Sequence, residues 1–121
     1  MINQRQHPRF AIELDAEVSV MDDVTVTGRT HDISRGGFSM LASTPVPVPA
    51  LCTVKLALVF SENEFSEHLV LQAATVWCTP FKGAHQIGVK FGTLDPQSRA
   101  YLDLFIKFLD DGEEAWDEPT E

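Results

Sequence analysis

The chain has 121 residues, which suits a single domain whose core forms without a disulfide or a metal ion. Its apolar fraction of 44% excludes global disorder, and no apolar run reaches the roughly 18 residues that a membrane-spanning helix needs. The formal net charge of −9 opposes broad binding to nucleic acid polymers, which requires a basic face. Because the N-terminus lacks the apolar core of a signal peptide, we expect a cytoplasmic protein with two reduced thiols, Cys52 and Cys78.

Alternating apolar residues predict a series of antiparallel strands. Every second residue from Phe10 to Val20 is apolar, which predicts a long half-buried strand, and residues 24–30 return after a turn. Gly28 is predicted to mark a bulge in the returning strand. Further strands are predicted over 38–41, 51–60, 69–77 and 86–91, the third of these with Thr75 and Trp77 on the same face. About five or six closely spaced strands indicate an all-β fold, a small barrel rather than an open sheet.

One helix is predicted after the last strand. Asp95-Pro96 provides a capping side chain followed by proline at the first helical position, and Gly112 is a plausible helix end. Apolar residues between Tyr101 and Leu109 recur at helical spacing, so one face of this helix should cover the barrel.

The charges at the two ends of the chain differ in sign. Residues 1–9 contain Arg5 and Arg9 and no acid, whereas the charged residues of 111–121 are all acidic. We therefore predict a flexible basic arm over residues 1–9, a folded domain over residues 10–110, and an acidic, disordered tail over residues 111–121. A basic arm on an acidic protein can still concentrate an anion, because the field at a site depends on nearby charges.

The basic arm has the chemistry of an anion clamp. Pro8 favours extended backbone, so Arg5 and Arg9 would share one face, roughly 13 Å apart at full extension. The planar guanidinium fork matches phosphate oxygens and the O6/N7 edge of guanine. Considered alone, however, two arginines at this spacing are better described as solvated charges on a terminus.

A turn of unusual composition, Asp32-Ile33-Ser34-Arg35-Gly36-Gly37, follows the second strand. Its Asp and Ser side chains can bond backbone N–H groups two residues on, and its glycines permit positive φ, so a purely structural role is one interpretation. In the other, Asp32 accepts hydrogen bonds from guanine N1–H and N2–H₂, while Ser34 and the backbone N–H groups meet a phosphate or ribose oxygen. Because a hairpin connects the arm to this turn, Arg9 and Asp32 are expected to be neighbours.

Together, Arg5-x-x-x-Arg9 and Asp32-x-Ser34-x-x-Gly37 resemble the signature of PilZ domains, bacterial receptors for cyclic di-GMP. Residues 74–77 and 87–91 are similar to the family's last two strands, and the resemblance extends from about residue 5 to residue 109. It implies a six-stranded antiparallel β-barrel with a C-terminal α-helix. It also implies a protein with no catalytic residues, no cofactor and no metal.

The resemblance also implies a ligand set. Arginines of the arm would clamp the guanine bases and phosphates of cyclic di-GMP, and the turn would complete the pocket; the residues concerned are Arg5, Arg9, Asp32, Ser34 and Gly37, with Gln4, Arg35 and Gly36 as secondary candidates. Gln4 stands where many members carry a basic residue, which leaves the ligand stoichiometry open. Ligand binding would order the arm, and the signal would pass to an effector protein in a process such as motility, polysaccharide export or pilus control.

Three other functions are compatible with single features of the sequence. Cys52, Cys78, His68 and His85 could supply four zinc ligands, but their spacing fits no zinc ribbon or finger and the cysteines fall in apolar strands. A small barrel can bind single-stranded nucleic acid through aromatic platforms, which the charge of −9 opposes. The last alternative is a ligand-independent PilZ-fold adaptor that acts only through protein contacts. Trp116, among acids, is a candidate partner anchor or a residue that packs on the helix.

Overall fold

The computed structural model describes residues 11–21 and 23–117, with side chains described as far as residue 109. Its elements are β1 (Glu13–Val20), β2 (Val24–Thr30), β3 (Gly37–Ala42), β4 (Ala50–Ser61), β5 (Glu64–Phe65), β6 (Leu69–Phe81), β7 (Ala84–Phe91) and α1 (Pro96–Asp117). The strands are antiparallel and follow the order β2-β1-β4-β6-β7-β3, and the short β5 pairs with β4. The predicted fold is confirmed: a nearly closed barrel of six strands with one C-terminal helix.

The barrel nearly closes where β2 approaches β3 at Gly28. A Cβ atom at this position would lie 2.5 Å from the carbonyl oxygen of Leu41 and 3.0 Å from the sulfur of Met40. The β1–β2 register continues without interruption through the Ala16–Gly28 pair. The predicted bulge at Gly28 was therefore wrong, because the glycine serves a close approach between two backbones.

The core fills the barrel and extends to one face of α1. Alternate residues of β1, from Leu14 to Val20, are fully buried, as strand geometry requires. Leu102, Phe105 and Leu109 of α1 join the same cluster and cover the barrel. The helix therefore completes the core, which is the role that its predicted apolar face indicated.

The predicted first strand differs from the observed one at its start. Ala11 is buried and Ile12 is 55% exposed, the reverse of the alternation predicted from Phe10. Ile12 nevertheless stays attached to the sheet, because its N–H donates to the carbonyl oxygen of Val59 at 2.7 Å. β1 begins only at Glu13, and Phe10 itself lies outside the described residues.

A β-bulge in β6 changes which face of the sheet the following side chains point to. Thr75 pairs with Val89 and Trp77 pairs with Gly88, so Val76 is an extra residue in the strand. Thr75 is fully buried whereas Trp77 is 43% exposed. The prediction that these two side chains share a face was wrong, because a bulge shifts the alternation by one residue.

The helix begins where the sequence predicted and ends later. The Asp95 carboxylate accepts a hydrogen bond from the Ser98 N–H at 2.7 Å, and this contact lowers the pKa of Asp95. The helix continues past Gly112 to Asp117, so the predicted end was wrong; glycine costs a helix only about 1 kcal/mol relative to alanine. Residues 111–117, the start of the predicted disordered tail, are thus helical, while residues 118–121 and the arm lie outside the described part of the chain. No helix among the described residues has the length and apolar character to cross a membrane.

Candidate functional site

The turn between β2 and β3 is closed by its own backbone and one serine. Ser34 N–H donates to the carbonyl oxygen of Gly37 at 2.8 Å, and Ile33 forms an isolated bridge with Phe38. The Gly36 N–H donates to Ser34 Oγ at 3.3 Å, which confirms the predicted side-chain contact two residues on. Ser34 therefore has a structural task in the turn.

The carboxylate of Asp32 bonds a side chain of β3 and not the backbone of the turn. The Asp32 backbone N–H donates to Thr30 Oγ1 at 2.9 Å, and the carboxylate Oδ2 accepts a hydrogen bond from Ser39 Oγ at 2.5 Å. The expected bond from Asp32 to a backbone N–H of the turn is not formed. Within the described part of the chain no donor reaches Asp32 Oδ1, and the side chain is exposed. The carboxylate is thus fixed by Ser39 and open on its other side.

The two glycines of the turn differ in what surrounds them. A Cβ atom on Gly37 would lie 2.0 Å from the carbonyl oxygen of Val89, whereas on Gly36 the nearest atom is Ser34 Oγ at 4.0 Å. Neither glycine has positive φ; among the described glycines only Gly83 does. The left-handed backbone that these glycines would permit is not used, and Gly37 instead lets β3 approach β7 closely.

The start of β1, which follows the arm in the sequence, lies beside this turn. Leu14 of β1 pairs with Thr30 of β2, and the His31 imidazole is hydrogen-bonded through Nε2 to the carbonyl oxygen of Ile12. Arg9 precedes Ile12 by three residues in the sequence. Gln4, Arg5 and Arg9 lie outside the described residues, and their contact with Asp32 stays a prediction.

Arg35 points from the turn to the helix. Its Nε donates to Asp103 Oδ1 at 2.9 Å and its Nη2 to Asp103 Oδ2 at 3.0 Å. The resemblance made Arg35 a secondary candidate for contact with the ligand. In the structure the guanidinium is instead engaged in a bidentate ion pair with α1.

Two residues near Asp32 were missed from the sequence, Ser39 and Trp77. Ser39 is buried in β3 and pairs across the sheet with Gly88. The indole of Trp77 lies over Gly88, where a Cβ atom would be only 2.2 Å from Trp77 Cε2. One strand, β7, therefore lies between the strand of the exposed indole and the strand of Ser39. A glycine inside a predicted strand was the available signal, since it marks a close approach of another group.

The described residues offer no metal centre. No group of three or more His, Cys, Asp or Glu side chains in residues 11–21 and 23–109 is arranged to hold a metal ion. Cys52 is buried in the core, and burial raises the pKa of its thiol. Cys78 is partly buried and packs against the same core.

With the barrel and its turn described, the chain can be placed in a family. The family model for the PilZ domain matches residues 3–108, so the chain belongs to the PilZ domain family. The structure resembles the PilZ domain of YcgR from Escherichia coli, solved with c-di-GMP, at 16% identity and a TM-score of 0.62, covering 96% of this chain and 100% of that one.

Two further solved structures have the same fold. MotI/DgrA, an inhibitor of motility from Bacillus subtilis, is 13% identical with a TM-score of 0.57, covering 97% of this chain and 54% of that one. The chain thus spans about half the length of MotI/DgrA. The PilZ domain of CeSA from a cellulose synthesizing bacterium is 21% identical with a TM-score of 0.50, covering 88% of this chain and 99% of that one. No curated protein sequence matches the chain.

Proposed function

We propose that this protein is a non-enzymatic receptor for cyclic di-GMP. One observation carries the proposal: the Asp32 carboxylate is held by Ser39 on one oxygen and open on the other, beside the strand that carries the basic arm. A carboxylate accepts hydrogen bonds from the N1–H and N2–H₂ groups of guanine, which adenine lacks at the same edge. The turn therefore supplies the base-selective half of the site.

The arm supplies the anion-binding half. Arg5 and Arg9 match phosphate oxygens and the guanine O6/N7 edge, and one bidentate contact to guanine is worth about 1–3 kcal/mol of base discrimination. Membership of the PilZ family and the cyclic di-GMP in the YcgR structure support this ligand. The half-exposed indole of Trp77 offers a surface on which a purine can stack.

Ligand binding is proposed to change the arm, and the arm to change what a partner contacts. The anion neutralises Arg5 and Arg9, so the arm closes over the nucleotide and alters the surface beside the turn. The protein then acts on an effector protein. Amide relaxation of residues 2–9 with and without cyclic di-GMP tests this step, and equal order in both states contradicts it.

Calorimetry with cyclic di-GMP tests the ligand. The parent should release heat on titration, Arg9→Ala should bind too weakly to measure, and Arg99→Ala, which removes an exposed arginine of α1, should bind like the parent. Asp32→Ala should lose guanine selectivity, measured against cyclic di-AMP, more than it loses attraction to phosphate. A large excess of single-stranded oligonucleotide should not displace the ligand.

Absence of heat and of chemical-shift change with the parent at high protein concentration would contradict the receptor function. It would leave the ligand-independent adaptor as the better account. Equal losses of affinity in Arg9→Ala and Arg99→Ala would show that only net charge matters.

A further inference from the structure

An apolar groove of about 170 Å³ lies between α1 and the end of β4, with Leu58, Phe60, Tyr101, Leu104 and Phe108 among its lining residues. The rings of Phe60 and Phe108 meet edge to face with centroids 5.9 Å apart and join the two walls. None of these residues belongs to the turn or the arm. The groove is therefore a second surface, separate from the proposed nucleotide site.

The helix side of the groove carries apolar side chains that the core does not use. Tyr101 is 45% exposed and Leu104 is 43% exposed. The neighbouring Phe105, in contrast, is buried in the core with only 4% of its surface exposed. Tyr101, Leu104 and Phe108 follow one another at i, i+3 and i+7, so they form a stripe along one side of α1. A stripe with this spacing is the pattern by which one helix packs against another.

The groove is bordered by negative charge. Glu67 is the charged residue among those that line it, and the protein as a whole has a net charge of −9. Two copies of this chain would each bring Glu67 and a net charge of −9 to the contact, which like-charge repulsion opposes. A basic occupant has the complementary charge.

We propose that this groove binds a basic amphipathic helix of a partner protein. Leucine or phenylalanine side chains on one face of that helix would enter between Leu104 and Phe60, and flanking lysines or arginines would face Glu67. The stripe from Tyr101 to Phe108 extends about 10 Å along the helix axis, so two turns of a partner helix fill it. The inference does not depend on nucleotide binding, since no groove residue belongs to the nucleotide site.

The experiment uses the full chain without nucleotide and two synthetic helical peptides. One peptide has leucines at i, i+3, i+4 and i+7 with lysine at all other positions, and its partner has glutamate in place of every lysine. Fluorescence anisotropy should show binding of the lysine peptide only. Leu104→Ser should weaken that binding about tenfold or more, because it removes an exposed apolar anchor. Glu67→Lys should weaken it also, and more at low salt than at high salt.

Leu51→Ser is the matched control, because Leu51 is 79% exposed on the barrel and does not line the groove. It should bind the lysine peptide like the parent. Equal weakening in Leu51→Ser and Leu104→Ser would overturn the proposal, as would equal binding of both peptides. The proposal would also be overturned if the parent bound neither peptide but sedimented as a dimer, and if Leu104→Ser abolished that dimer. The groove would then be an interface between copies of this chain.

Discussion

Arg35 and Asp103 connect the turn that carries Asp32 to the C-terminal helix through two parallel hydrogen bonds of 2.9 and 3.0 Å. The residues are far apart in sequence, and the pair is a direct polar contact between the turn and α1. Leu104, the next residue of the helix, belongs to the apolar groove. The two proposed binding surfaces are therefore separate but connected through α1.

A double-mutant cycle measures this contact. Arg35→Gln and Asp103→Asn should show a coupling in the free energy of unfolding of about 0.2–1 kcal/mol, small because the side chains are 63% and 42% exposed. Urea unfolding at low salt gives the coupling, and about 1 M salt should remove most of it. A cycle of Arg35→Gln with Asp23→Asn is the control, because Asp23 lies at the opposite end of β2 from the turn. Zero coupling at low salt would mean that the ion pair has no part in docking the turn.

The two neighbouring glycines of the turn should respond oppositely to alanine. Gly37→Ala places a Cβ 2.0 Å from the Val89 carbonyl oxygen, so it should lower the free energy of unfolding by about 1–3 kcal/mol or more. Gly36→Ala meets nothing nearer than 4.0 Å and should change it by less than about 0.5 kcal/mol. Thermal or urea unfolding of both variants gives the comparison. Equal losses would show that backbone freedom, rather than contact with β7, fixes the glycine at position 37.

Much of the fold could be predicted because its determinants are local. The alternation of β1 from Leu14 to Val20 and the Asp95-Pro96 start of α1 are each encoded in a few consecutive residues. The barrel followed from the number and spacing of such strands. The candidate turn was equally local, since its composition is unusual over six consecutive residues.

The rest depended on contacts between distant segments. Gly28 and Gly37 are explained by backbone atoms of Leu41 and Val89, which only the folded sheet brings near. The bulge at Val76 moves Trp77 outward, yet it leaves no sign in the apolar alternation that precedes it. Ser39 supports Asp32 only because β3 returns beside the turn.

Ser39→Ala tests whether the support of Asp32 matters for binding, and it rests on the proposed function. Removing the hydroxyl leaves the carboxylate free to rotate, so the Kd for cyclic di-GMP should rise about tenfold, the size expected for a hydrogen bond to a charged group. Ser19→Ala removes a comparable side-chain hydrogen bond, to Thr25, from the β1–β2 surface and should bind like the parent. Calorimetry on both variants gives the answer. Unchanged affinity in Ser39→Ala would mean that Asp32 needs no fixed orientation.

The cap of α1 should make part of the stability depend on pH. The Ser98 backbone N–H lowers the pKa of Asp95, so the ionised cap stabilises the fold above the ordinary pKa of aspartate, about 4. That stability is lost as the pH falls through the lowered pKa of the folded state. Asp95→Asn keeps an acceptor oxygen but cannot titrate. The melting temperature of the parent should therefore exceed that of Asp95→Asn at about pH 7, and the difference should shrink below about pH 4. Asp23→Asn, which alters an exposed carboxyl in the β1–β2 turn, is the control, and a difference that stays constant with pH would contradict the role of the ionised cap.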